Sequence, residues 1–246
     1  VAQSHTYIVG IMGADASPPS LPEGVAIERR EAVVLVRMER EENRFHPDLL
    51  SALEGVLEEI EGGEEPAALV LTGAGKFFSN GLDLEYMAAN PTEAQSVLAR
   101  VEVLFARLLG LEVPTVAAVN GHAFAGGAML TLSCDLAVMR EDRGYFCLPE
   151  ADLGLPFTPG MYTFLKARLS PPVAHRAMVT AHRLTAAEAL AGGVVAEVAP
   201  EDEVVERAVA LAAGLSGKPR HSYGAIKRDI YADAIAALSA RRDGLE

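Results

Sequence analysis

"VNGHAFAGGAMLTLSCDLAVM", Val119 to Met139, is the stretch on which the reading of the whole chain turns. It sets a Gly-His and then a Gly126-Gly127 pair between apolar runs, and the run after the glycines has no polar face. Upstream, "VPTVAAVNG" is a short continuous apolar segment of the length of a buried strand, and downstream "DLAVM" is another. The glycine pair therefore falls where a loop turns into a buried helix. The first turn of a helix has N–H groups without intrahelical acceptors and the positive end of the dipole. Glycine at that point lets a ligand approach the backbone closely.

The same order occurs earlier in the chain: strand "ALVLTG", loop "AGKFFSNG", helix "LDLEYMAA". One such loop alone reads as a tight strand-to-helix turn. Two in the same setting, with their N–H groups aimed at one point, form an oxyanion hole. Neither is a nucleotide loop, since "GHAFAGG" is not G-x-G-x-x-G and Gly75-Lys76 is followed by Phe77.

Working outward, "VAIERREAVVLVRMER" predicts two strands around a turn, and "HPDLLSALEGVLEEIEGG" a helix stopped by Gly-Gly after Ile60. A helix is expected over 91–110, a strand in "GYFCLPE", and helix nearly throughout from Pro159, interrupted by the strand-like "GGVVAEVAP". The last helices are expected at 201–215 and 222–241. Strands alternate with helices in the first two thirds and helices gather in the last, which predicts an α/β core with a helical C-terminal part. The expected division is an extension or linker over 1–23, with one short strand at "TYIVGIM", a core over 24–190 and a mainly helical region over 191–246.

The chain has 246 residues, half of them apolar, enough for a substantial core. Its net charge is −13 and it has no large Lys/Arg cluster, which speaks against nucleic acid. An anionic ligand would need local cations against that field. No run approaches the roughly 18 apolar residues of a membrane span. Cys134 and Cys147 form no CxxC and read as reduced core thiols of an intracellular protein. No secretory signal and no peroxisomal C-terminal address is visible, so the cytoplasm is the expected location, with the peroxisome the alternative for a eukaryotic source.

Together, "GAGKFFSNGLDL", "VPTVAAVNGHAFAGGAMLTLSCDLAVM", "LPEADLGLP" and "LTAAEALAGGVVAEVAP" resemble the crotonase superfamily, the enoyl-CoA hydratases and isomerases. The isomerases that carry "KFFSNGxDL" are the most similar branch. The resemblance implies repeated ββα units, C-terminal helices that build a homotrimer or a dimer of trimers, and an acyl-CoA thioester as ligand. It also implies oxyanion donors at the N–H of Leu82, just after Gly81, and of Gly126. Glu150 matches the family's catalytic glutamate. Phe124, Met129 and Leu155 are the expected walls of an apolar acyl pocket that would raise the pKa of Glu150. Lys76, before the first loop, is the best-placed cation for the CoA phosphates, and Lys227 a second, because that helix lines the nucleotide site in relatives.

Met129 lies one turn beyond Gly126. Relatives that hydrate 2-enoyl-CoA resemble one another in having a second glutamate there, and dienoyl isomerases an aspartate. A thioether exchanges no proton, so a single-base reaction is expected: 3-enoyl-CoA to 2-enoyl-CoA, with no metal and no redox cofactor. The alternatives are another crotonase-type reaction (hydratase, hydrolase or decarboxylase) or an acyl-CoA-binding protein without turnover. Asp83 reads as a helix cap, Asp135 as structural, Asp152 as a surface residue and His122 as a hydrogen-bonding loop residue, since no G-x-S-x-G surrounds any serine.

Overall fold

Three consecutive stretches of the chain repeat one pattern: a strand of a large sheet, a strand of a small sheet, then a helix. The computed structural model describes residues 24–65 and 67–240. The expected strand at "TYIVGIM" lies outside them. The first repeat is β3 (Ala68–Gly73), β4 (Phe77–Ser79) and α2 (Leu84–Ala89). The second is β5 (Thr115–Val119), β6 (His122–Phe124) and α4 (Gly126–Ser133), and the third β7 (Leu136–Arg140), β8 (Phe146–Cys147) and α5 (Glu150–Leu153).

The large sheet opens with the antiparallel pair β1 (Val25–Arg30) and β2 (Val33–Met38), as the sequence predicts. It continues in parallel in the order β1-β2-β3-β5-β7-β9, where β9 is Glu197–Ala199. The C-terminal region thus completes the sheet rather than standing apart from it. Both faces are covered, so the strands read as unbroken apolar runs. One face packs on α1 (Pro47–Gly62), α3 (Pro91–Gly110) and α4. The other carries Val33, Leu35, Val70, Val116 and Ala118 against Val204, Ala208 and Ala212 of α9 (Val204–Leu215).

The remaining helices are α6 (Pro159–Arg168), α7 (Pro171–Ala174), α8 (Ala186–Ala191), α10 (Arg220–Ile230) and α11 (Ala232–Leu238). The single helix expected over 222–241 is two, divided at Tyr231, which ends one and caps the next. A π-helical turn, His175–Val179, follows α7. Among the described residues no helix is long and apolar enough to cross a membrane. Both cysteines are free and buried, and burial pushes the Cys134 thiol up to about 12 and the Cys147 thiol up to about 11.

The small sheet corrects the expected loops. "KFFSNG" and "HAFA" each contain a strand, and β4, β6 and β8 lie parallel in that order. All three therefore end at the same edge, and each then turns into its helix.

Candidate active site

The three turns at that edge carry the chemistry. After β4 the chain passes through Gly81 and Leu82, after β6 through Ala125 and Gly126, and after β8 through Pro149 into Glu150. Ladder contacts bind the turns together: the Ala125 N–H donates to the Cys147 carbonyl at 2.9 Å, and the Phe45 N–H to the Gly81 carbonyl at 2.7 Å.

The glycines are dictated by close approach. A β-carbon on Gly81 would lie 2.7 Å from the Gly126 nitrogen, and one on Gly126 would lie 2.9 Å from the Phe45 ring and 3.3 Å from the Gly81 Cα. A β-carbon on Gly127 would come within 2.0 Å of the Ser79 carbonyl oxygen. Gly81 also has φ +82°, which favours glycine on its own account. The pair 126–127 is thus explained by the end of β4 lying directly on the first turn of α4.

Neither the Leu82 N–H nor the Gly126 N–H has an acceptor among the described residues. Gly126 is the first residue of α4, whose first backbone bond runs from the Met129 N–H to the Ala125 carbonyl at 3.1 Å. The site therefore brings two free backbone donors to adjoining turns, at the N-terminal end of a helix buried along its whole length.

Glu150 opens α5 at the third turn and is 8% exposed. Its Oε2 is buried and has no partner among the described residues. Burial pushes its pKa up to about 7, with a weak opposing bond from its own N–H. A carboxylate that costs this much to ionise, and that no cation neutralises, is suited to taking and returning a proton near neutral pH.

Met129 is 1% exposed, so the wall one turn into α4 is apolar. The other buried glutamate, Glu102 on α3, accepts a hydrogen bond from the Thr158 hydroxyl, which in turn caps α6. Asp83 caps α2 through the Tyr86 N–H at 3.0 Å, as expected. Asp135 is structural, also as expected: it binds the Thr115 N–H at 2.8 Å and the Tyr223 hydroxyl at 2.9 Å. Asp152 is exposed.

Four other expected residues are placed as follows. Phe124 belongs to a ring cluster. As an alternate residue of β6 it faces outward with His122, its ring set against Phe77, His122 and the Arg183 guanidinium. His122 donates its backbone N–H to the Lys76 carbonyl at 3.1 Å, but its ring stacks on Phe77, Phe124 and Tyr145, and the buried Nδ1 has no partner among the described residues. Burial, reinforced by Lys76, Arg143 and Arg183, holds its pKa below the ordinary histidine value. Leu155 is 45% exposed, on the loop whose N–H returns to the Glu150 carbonyl at 2.9 Å, so it closes no wall in the single chain. Lys227 is the clearest correction: it is 6% exposed, and its Nζ lies 2.8 Å from Asp135 and 3.0 Å from the Leu108 carbonyl. It fastens α10 to the core and is not available to a phosphate. Lys76 is exposed over the Phe77 ring, beside an open cleft of about 500 Å³ that Arg40, Glu39 and Glu42 also line.

Ala125 is the residue that sequence reasoning missed. It has φ 50° and ψ −120°, a region that L-residues rarely adopt. Such strain costs about 1–3 kcal/mol and persists only where the surroundings fix it. An alanine gives no sign of this in a sequence.

Repeated ββα units, with two unsatisfied donors and a desolvated carboxylate at three successive turns, define a protein of the crotonase fold. The enoyl-CoA hydratase/isomerase family matches residues 28–244, and the chain belongs to that family. It is similar to enoyl-CoA delta isomerase 3 of Arabidopsis thaliana, 34% identical over 230 residues that cover 89% of this chain and 97% of the relative. It is also similar to a short-chain-enoyl-CoA hydratase of Clostridium acetobutylicum, 33% identical over 220 residues, 86% and 83% of the two chains. Among solved structures, the apo enoyl-CoA isomerase of Mycobacterium tuberculosis superposes with a TM-score of 0.81 at 29% identity, over 87% of this chain and 94% of that one.

Proposed function

We propose that the protein isomerises 3-enoyl-CoA thioesters to 2-enoyl-CoA. The observation that carries this reading is Glu150, a buried carboxylate with an unpartnered oxygen at the turn next to those of the two free N–H groups. The thioester carbonyl oxygen accepts from the Leu82 and Gly126 N–H groups. Glu150 takes a proton from C2, and the C2–H electrons pass into the carbonyl to give a dienolate. That charge returns through the conjugated system, the double bond settles between C2 and C3, and Glu150 gives its proton to C4. Both transfers balance with one carboxylate, and coenzyme A enters only as part of the substrate. Removing a single oxyanion donor typically costs about 2.7–4 kcal/mol of barrier.

Hydration would require a second group to activate water, and Met129 supplies none where the α4 wall is buried. Lys76 is the proposed cation for the CoA phosphates, because it is exposed at the start of β4, the strand whose far end leads to Leu82, and makes no ion pair among the described residues.

Product analysis with 3-enoyl-CoA and 2-enoyl-CoA offered separately tests the reading. The expected result is isomerisation of the first, slow hydration of the second, and at least about 10²-fold loss of isomerisation in Glu150→Gln. Efficient hydration of 2-enoyl-CoA would overturn it in favour of a hydratase, and thioester binding without turnover in favour of a binding protein.

A further inference from the structure

One of the two free donors belongs to the peptide that joins Ala125 to Gly126, and the rotation of that peptide is set by ψ of Ala125. An ordinary residue before a helix is extended, but Ala125 has φ 50° and ψ −120°. Both of its backbone polar groups are held, the N–H by the Cys147 carbonyl at 2.9 Å and the carbonyl by the Met129 N–H at 3.1 Å. The Ala125 carbonyl accepts as the carbonyl before a regular helix does, so the Gly126 N–H keeps its helical direction, and the unusual backbone of Ala125 turns the chain entering from β6 so that this helix start is set beside the Gly81 turn. Glycine would accept this backbone freely, and glycines fill the next two positions, yet position 125 keeps a β-carbon. Its methyl lies against the neighbouring turn: a β-carbon on Gly81 would come within 3.0 Å of it.

We infer that Ala125 is a positioning residue whose methyl, set against the Gly81 turn, fixes where the Gly126 N–H stands relative to that of Leu82. The inference rests on the reading of those two N–H groups as an oxyanion hole, not on which enoyl-CoA reaction follows. The backbone strain at Ala125 is then the counterpart of a donor that is already aimed before substrate arrives.

The test compares Ala125→Gly and Ala125→Ser with the parent chain. Three quantities are read: the thermal midpoint, kcat and KM with 3-enoyl-CoA, and the infrared carbonyl stretch of bound hexanoyl-CoA. Glycine relieves the positive φ, so the midpoint is expected to rise by about 2–4 °C. The same variant is expected to lose at least about 10-fold in kcat with KM within about 2-fold, since misaligned groups cost rate more than binding. Its carbonyl stretch should move back towards that of free hexanoyl-CoA. Ala125→Ser keeps the β-carbon and should keep kcat and the stretch near the parent values. The inference is overturned if Ala125→Gly retains the parent kcat and carbonyl shift, if its midpoint does not rise, or if Ala125→Ser loses as much as glycine. A parent chain that shifts the carbonyl without isomerising would remove the proposed reaction and leave the carbonyl comparison to decide Ala125.

Discussion

Glu150 couples activity and stability through one proton. Its pKa in the folded chain is about 7 against an ordinary value of 4.5, because burial disfavours the anion. As a base it works only when ionised, so kcat/KM should fall about tenfold per pH unit below about pH 7. The stability effect has the opposite sense. Between pH 4.5 and 7 the folded chain holds a proton that the unfolded chain has released, so stability falls as pH rises through this window. The loss reaches about 3 kcal/mol above pH 8. Glu150→Gln removes it, and denaturant titration should find that variant more stable than the parent at pH 8 and equal to it near pH 4.5. On the first turn of α4, Met129→Glu should raise hydration of 2-enoyl-CoA above the parent rate, and an unchanged rate would show that Met129 is not where a water-activating partner belongs.

Among the elements, α10 is held by charge as well as by packing. Lys227 and Asp135 are both largely buried, and Tyr223, Thr115 and the Leu108 carbonyl fill the remaining hydrogen-bonding positions around them. A buried pair of this kind adds little over an apolar pair, but removing one partner strands the other. Lys227→Met should therefore cost about 3–5 kcal/mol in urea unfolding. Adding Asp135→Asn to it should recover part of that loss, whereas the two effects would simply add if the groups were independent. Neither change touches the three turns that carry Leu82, Gly126 and Glu150, so kcat of the folded fraction should hold.

At the scale of the whole molecule, several of the exposed apolar side chains lie on α5, α6 and the turns that follow them. Leu153, Leu155, Tyr162 and Val179 are all exposed, and α5 packs against the π-helical turn that ends at Val179. Exposed apolar side chains on neighbouring elements are what a second copy of the chain would cover. Sedimentation at micromolar concentration should give a trimer or a dimer of trimers of the 26.0 kDa chain, and a stable monomer would remove that expectation. Leu155, half-exposed here beside Glu150, would be covered in such an assembly.

Much of this architecture was legible in residue order because the signals are local. Runs such as "ALVLTG" and "TVAAV" are apolar throughout because both faces of the large sheet are covered, and helix starts and stops carry their own caps and glycines. Gly81 and Gly126 stood out because each sits at a strand-to-helix turn with residues on both sides that fit such a turn, and Glu150 through its resemblance to the family's catalytic glutamate. The small sheet was legible only in part: β8 falls in the strand expected in "GYFCLPE", whereas β4 and β6, with three residues each, are too short for any period and become strands only by pairing within the sheet. The positive φ of Ala125 was equally hidden, since it is imposed by Cys147 and Gly81 from other repeats. Lys227 shows the same limit. A lysine on a polar helix reads as solvated, and only the docking of α10 on Asp135 turns it inward. Sequence determined the strands of the large sheet, most of the longer helices and the glycine-built turns, because those follow from neighbours in the chain. The tertiary structure alone decided which side chains meet, because desolvation, strain and ion pairing depend on groups brought together from distant positions.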